Sequence, residues 1–287
     1  QKQPVHIRSD DKQLLFVETQ ELDLTPILAK GGNNEERSKL YLPNHTIKLK
    51  IGKTTLGRFK FTDSEAALSI DDDHTYIRIN HASLCGIKAD GFINFKDDLV
   101  FANIPFQSGP DKDVQSLLAC LMDQEKLMDG SYTLSGILRT NDNKEVAASQ
   151  VKGEFDFTAA EGRIYKLTLL SRILSVLNVS SLFKGKIPNI VQEGFAYKEV
   201  LIEADVKESR IHLKKAVIDG NDMTLIFKGW IDPVTDELDL TCLVAPFKTI
   251  DMIISYIPIV NTMLGGRLVS VPVKASGKLS DPDVIPL

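Results

Sequence analysis

The sequence predicts a mainly β protein: a strongly curved antiparallel sheet, a groove or half-barrel, packed by about three apolar helices. Three patterns predict it. Apolar and polar residues alternate with period two over much of the chain, as half-buried strands require. Short polar turns separate these runs, whereas parallel pairs need crossovers of about a dozen residues or more. Three stretches break the alternation with apolar stripes at helical spacing.

A first strand is expected near 14–19. Ile47, Leu49 and Ile51 then alternate with Lys48 and Lys50, and another strand is expected near 56–61. After the turn signal Asp71-Asp72-Asp73, Ile77 and Ile79 alternate with Tyr76, Arg78 and Asn80. Phe92, Ile93 and Phe95 lead to the turn signal Lys96-Asp97-Asp98 and a strand near 99–103. The first helix is expected over 111–127. Val114, Leu117, Leu118 and Leu121 form its stripe, and Asp111 is its expected N-cap after Pro110.

Strands follow near 131–138 and through Val151, Gly153, Phe155 and Phe157. The second helix is expected over 164–182. Thr168, Ser171, Arg172, Ser175 and Asn178 form one narrow polar stripe, so its wide apolar face calls for burial on more than one side. Strands near 199–206, 210–218, 222–231 and 237–244 come next, with a turn at Asp219-Gly220-Asn221-Asp222.

The third helix carries Ile250, Ile253, Ile254 and Ile257, with no charge between Met252 and Gly266. Pro258 breaks or kinks it, and Gly265-Gly266 caps it. It is too apolar for a surface helix and too short for a bilayer span, which takes about 20 apolar residues. A last strand is expected over 268–279.

Glycine precedes an apolar residue repeatedly inside these strands. The copies are Gly91-Phe92-Ile93, Gly136-Ile137-Leu138, Gly153-Glu154-Phe155, Gly229-Trp230-Ile231 and Gly277-Lys278-Leu279. Glycines so placed mark bends, bulges or close backbone approach.

Composition narrows the function. The 287 residues are 43% hydrophobic and 25% charged, an ordinary globular balance, and 1–287 reads as one domain. A net charge of −5 without a basic block argues against nucleic acid. Cys85, Cys120 and Cys242 are isolated among apolar neighbours. That is the usual setting of buried free thiols, although one disulfide pair remains open. The chain opens in mid-domain material and is expected to be a piece of a longer protein.

No catalytic, metal or cofactor motif stands out. Gly52-Lys53-Thr54 lacks the earlier glycine of a phosphate loop, since position 47 is Ile47. Asp71-Asp72-Asp73-His74 lacks calcium-loop spacing and is expected at a solvated hairpin tip. His6, His45, His74, His81 and His212 show no zinc-ligand pattern, and no serine has the glycine flanks of a nucleophile elbow. Asn44-His45-Thr46 and Asn178-Val179-Ser180 match the glycosylation tripeptide. Neither an enzyme activity nor a cofactor is expected.

Several fragments then come in a telling order. Val114-Gln115-Ser116-Leu117-Leu118 opens a helix, and Gly130-Ser131-Tyr132-Thr133-Leu134-Ser135-Gly136 starts a strand. Phe155-Asp156-Phe157 and Gly162-Arg163-Ile164 lead into the second helix with Leu177-Asn178. Gly194-Phe195-Ala196-Tyr197, Gly229-Trp230-Ile231 and Val244-Ala245-Pro246 follow. Ile257-Pro258-Ile259, Leu264-Gly265-Gly266 and the segment from Gly277 to Pro282 close the chain. In this order the stretch 111–287 resembles the C-terminal region of AsmA-like proteins of Gram-negative envelopes. The stretch 1–110 fits only as a generic β meander.

The resemblance implies a periplasmic body held in the inner membrane by an N-terminal helix outside this sequence. It also implies an apolar β-groove that guides phospholipid, or another acyl lipid, toward the outer membrane. Outer-membrane or other envelope proteins are possible partners. On this reading Leu170, Ile173, Leu174, Leu177, Ile253, Ile254 and Ile257 are the candidate lipid-contacting residues. The alternatives are a structural or adaptor module whose helices plug the groove, and an all-β hydrolase without a recognisable motif.

Overall fold

The computed structural model describes residues 5–10, 14–25, 45–71, 74–122, 126–143, 150–165, 168–177, 194–208, 210–221, 223–246 and 271–287. The strands are β1 (Val5–Asp10), β2 (Leu14–Asp23), β3 (His45–Leu56), β4 (Phe59–Ile70), β5 (His74–Leu84), β6 (Ile87–Lys96), β7 (Leu99–Ser108) and β8 (Lys112–Asp113). They continue as β9 (Ser131–Asn143), β10 (Lys152–Ile164), β11 (Phe195–Lys207), β12 (Arg210–Gly220), β13 (Met223–Asp232), β14 (Glu237–Pro246), β15 (Val271–Lys278) and β16 (Pro282–Pro286). Two helices, α1 (Val114–Met122) and α2 (Thr168–Leu177), lie among the described residues. The expected third helix and its Ile253, Ile254 and Ile257 lie outside them.

One 16-stranded sheet follows the chain in order from β1 to β16, with β8 paired to β9 off the main path. It is mixed, not purely antiparallel, because β2 and β3 run parallel. The expected strand over 56–61 is instead the hairpin between β3 and β4, turning at Gly57 and Arg58. Gly57 supplies the positive φ, 60°, that this tight reversal uses.

The chain divides into two compact units. Unit 1 comprises 1–109 and 135–153, and unit 2 comprises 110–134 and 154–287. Both described helices belong to unit 2.

Helix α1 is shorter than the expected 111–127 and starts at Val114, the first residue of its stripe. Asp113, not Asp111, is the cap: its carboxylate accepts the Ser116 N–H at 2.9 Å and the Ser116 hydroxyl at 2.5 Å. That hydroxyl, with the backbone N–H donors, holds the Asp113 carboxyl below its usual pKa. Asp111 sits just outside at a φ of 47°. Val114 and Leu117 carry α1 into the core at 0% and 4% exposure.

Helix α2 is shorter than the expected 164–182, because Ile164 still belongs to β10. Its polar stripe is as expected: Thr168, Ser171, Arg172 and Ser175 are exposed. Arg172 pairs with Asp281 at 2.5 Å and so ties α2 to the turn before β16.

Two glycines of the repeated motif show why no side chain fits there. At Gly91 φ is 127°, and a Cβ would lie 2.1 Å from the Asn103 carbonyl oxygen. At Gly229 φ is 135°, and a Cβ would lie 2.0 Å from the Asp239 carbonyl oxygen. Each follows a register shift in the preceding strand pair, between Ile79 and Ala82 and between Leu213 and Val217. The neighbouring backbone closes in where the bulge tightens the twist.

Of the alternatives left open for the cysteines, the structure has the disulfide. Cys85 and Cys120 are disulfide-bonded. Cys242 is free and fully buried, and burial pushes its thiol pKa up to about 12.

Candidate functional site

Strand register assembles the surfaces that no single strand shows. Residues directly opposite across a ladder share a face, so the strand register sorts each unit into two faces.

In unit 1 one face is apolar across six strands. Leu15, Ile47, Leu68, Ile77, Ile93 and Ala102 form one continuous row from β2 to β7. The next row runs Ile7, Val17, Leu49, Ala66 and Ile79. Phe95 and Val100 face each other beyond the first row, and Ile104 faces Leu138. Ile47, Ile51 and Val100 are buried, at 9%, 5% and 7% exposure. Leu15, Val17, Leu49, Leu68, Ile77, Ile79, Ile93, Phe95, Ala102 and Ile104 are only half-buried. No described helix of unit 1 covers this face.

The other face of unit 1 is polar. Arg8, Phe16, Lys48, Ala67, Arg78, Phe92, Asn103 and Arg139 make one row. Within it the Lys48 ammonium lies 5.4 Å from the centre of the Phe16 ring. A second row reads His6, Glu18, Lys50, Glu65 and His81, with Lys50 between two carboxylates. It borders an open cleft of about 540 Å³ lined also by Arg8, Gln20 and Asp63.

Unit 2 repeats the two-faced design. Ile231, Phe227 and Leu225 of β13 oppose Leu238, Cys242 and Val244 of β14. These lead to Val271, Val273 and Ala275 of β15 and to Val284 of β16. Val200, Ile202, Ala204 and Val206 continue the face on β11. Here the face is covered by the protein itself. Leu238, Leu240 and Ala275 are closed off at 2%, 1% and 0% exposure, with Leu169 of α2 packed on them. The reverse face is held by ion pairs, Lys214 to Asp205 at 2.8 Å and Lys215 to Glu203 at 3.5 Å. Lys274 pairs there with Asp239.

Three of the seven residues proposed from sequence come together on α2. Leu170, Ile173 and Leu174 are 4%, 0% and 5% exposed. They point into the packed interior of unit 2 and are closed to solvent. The side chain of Leu177, like Ile253, Ile254 and Ile257, lies outside what is described. The half-buried rows of unit 1 were not singled out from sequence. Their signal was present in the alternations at 47–51 and 77–79, but the face exists only once register joins them.

A tyrosine cluster braces the segment before β9. Tyr165 donates its hydroxyl to the Asp129 carboxylate at 2.6 Å, and Tyr197 donates to the Asp129 carbonyl at 2.5 Å. Tyr197 is 3% exposed, and burial chiefly, with the nearby Asp129 charge, raises its pKa. Gly130 and Gly162 leave room for its ring hydroxyl, since a Cβ at either would lie 2.5 Å from that oxygen. This arrangement locks chain segments together and offers no free reactive group.

Among the described residues no group of His, Cys, Asp and Glu is placed to hold a metal ion. No described helix is long and apolar enough to cross a membrane. No protein-family profile, curated protein or solved structure matches the chain.

Proposed function

We propose that this is a lipid-handling domain that binds acyl chains against the apolar face of unit 1. The observation that carries the reading is the row Leu15, Ile47, Leu68, Ile77, Ile93 and Ala102, apolar over six strands and largely half-exposed. Contiguous apolar patches of this kind mark interaction surfaces. An acyl chain laid across it gains about 0.8 kcal/mol per CH₂ removed from water. Order along the C-terminal stretch, from Val114 to Pro282, supports a place among AsmA-like envelope proteins. In that setting the ligand is phospholipid, the compartment is the periplasm, and the parent protein is held in the inner membrane. The disulfide-bonded Cys85 and Cys120 favour an oxidising compartment of that kind.

A structural or adaptor role is the second reading. It is favoured by unit 2, whose apolar face is already filled by α2.

The test uses neighbouring residues on opposite faces. The protein is purified from bacteria, extracted with organic solvent and assayed for phospholipid by mass spectrometry. Uptake of a fluorescent fatty acid is measured beside it. Ile77→Asp should abolish both signals and Arg78→Asp should leave them intact, with circular dichroism confirming the fold of each. A wild-type protein free of lipid and unable to take up the probe would end the carrier reading.

A further inference from the structure

We propose that the cleft on the polar face of unit 1 binds a small zwitterion, an ammonium and a carboxylate joined by a chain of several bonds. This site is separate from the acyl-binding face, which lies on the other side of the same sheet. The cleft holds about 540 Å³, within the roughly 300–1,000 Å³ of small-molecule sites.

Register builds the cleft around Gly52. Gly52 lies on β3 between the paired positions Ile51 and Lys53, so Gln20 of β2 flanks it on one side and Asp63 of β4 on the other. It has no side chain, and an added Cβ would lie 2.9 Å from the Gln20 carbonyl oxygen. That bare position is the floor. Lys50, two residues back along β3, stands on the same face, with Glu18 and Glu65 directly opposite it on either side. Arg8 completes the charged lining from β1.

Both signs line the cleft, and neither neutralises the other. Elsewhere in the sheet, register neighbours of opposite charge close on each other. Lys53 meets Glu21 at 3.6 Å, and Lys215 meets Glu203 at 3.5 Å. The neighbours of Lys50 are as near, since directly opposed Cβ atoms lie about 4.5–5.5 Å apart. Among the described residues, however, Lys50 pairs with neither Glu18 nor Glu65, and Arg8 and Asp63 make no ion pair either.

The lining selects the ligand. Three carboxylates, Glu18, Asp63 and Glu65, stand with two cations, Arg8 and Lys50. A metal ion does not satisfy them, because no group of His, Cys, Asp and Glu among the described residues is placed to hold one. An organic ammonium does. On the Gly52 floor it sits between the strand positions of Asp63 and Gln20. The oxyanion end then turns to Lys50, about 7 Å along β3 at roughly 3.4 Å per residue. That offset requires several bonds between the two charges, as in an ω-amino acid or a dipeptide, and disfavours an α-amino acid. A ligand with a single charge would leave the lining of the other sign unmatched.

The whole chain is titrated with 4-aminobutyrate, glycine, butylamine and pentanoate, followed by saturation-transfer NMR in low-salt buffer. Butylamine keeps the ammonium alone and pentanoate the carboxylate alone. 4-Aminobutyrate should bind about fivefold or more tighter than each of the other three. Asp63→Asn keeps a residue type that tolerates the 50° φ of this position. It should weaken 4-aminobutyrate and butylamine and leave pentanoate as in the wild type. Lys50→Gln should weaken 4-aminobutyrate and pentanoate and spare butylamine. Circular dichroism checks the fold of both variants. No saturable binding of 4-aminobutyrate, equal binding of the four probes, or binding that both changes leave untouched would overturn the proposal. So would an equal loss of every probe in both folded variants, since the two charges would then have no separate roles.

Discussion

Replacing Ile173 by alanine separates a core residue from a ligand contact. Ile173 is fully buried on α2, between Leu170 and Leu174. The change removes three carbons, about 2.4 kcal/mol at roughly 0.8 kcal/mol per methyl or methylene group. The cavity left behind adds to this, for a total of about 3 kcal/mol. Little can offset it locally, because α2 has 10 residues and isolated helices shorter than about 12 are marginal in water. The assay is urea unfolding followed by Trp230, the single tryptophan, which sits on β13 in unit 2 with Arg210 over its ring at 4.2 Å. With a denaturant slope near 3 kcal/mol per molar urea, the midpoint should fall by about 1 M. Fatty-acid uptake by the folded variant should stay as in the wild type. A midpoint shift below about 0.3 M together with lost uptake would show that Ile173 contacts ligand, and that its packing has been misread.

Three further outcomes follow from single features. Gly229→Ala should destabilise unit 2 by about 3 kcal/mol or more, because the new Cβ meets the Asp239 carbonyl and the backbone holds a positive φ; urea unfolding reads it. Denatured protein that has never met reductant should titrate one thiol with a chromogenic disulfide, and reduced protein three, since Cys85 and Cys120 are disulfide-bonded. Asp232 accepts the Thr235 and Val234 N–H groups, which hold its carboxyl below the usual value, with Arg210 adding to this. A lowered folded pKa stabilises above the unfolded value, about 4, and that contribution is lost as pH falls through the folded one. Asp232→Asn should therefore flatten the stability loss in acid, as thermal melts between pH 5 and pH 2 would show.

Much of the strand plan was legible because period-two alternation is a local property. Ile47, Leu49 and Ile51 announce a two-faced strand before any partner is known. Pairing direction was less legible. The parallel pair β2–β3 needs a long crossover, and the stretch between Asp23 and His45 is long enough to have signalled one. Cap choice failed by two residues for a similar reason. Asp111 and Asp113 are both good caps by type, and only the reach of the Asp113 carboxylate to Ser116 decides between them. The disulfide was open to sequence only as a possibility, since spacing does not say which cysteines meet. The candidate site was the least legible part. Concentrated apolarity drew attention to α2, where Leu170, Ile173 and Leu174 serve packing. The unit 1 face is made of strands that are each only half apolar, and a one-residue slip in any pairing would scatter its rows.

The two units make the same kind of surface and treat it differently, and that contrast carries the functional argument. In unit 2, Leu238, Leu240, Cys242, Val244 and Val273 are all at or below 2% exposure, so the apolar face is closed by protein. Among the described residues of unit 1 the apolar rows reach such closure nowhere, with Ile51 the most buried at 5% and Ile77, Ile79, Ile93 and Phe95 half-buried. Stability alone does not call for that difference, because burying these side chains would be worth about 1.5–3 kcal/mol apiece when complete. The polar face behind them is equally ordered, with Lys50 set between Glu18 and Glu65. On the proposed reading, the apolar side of unit 1 that the described residues leave half-covered is where something apolar binds. An acyl chain fits that requirement without asking for any catalytic group. If Ile77→Asp were to leave lipid content unchanged while remaining folded, the cover for this face would have to come from protein instead.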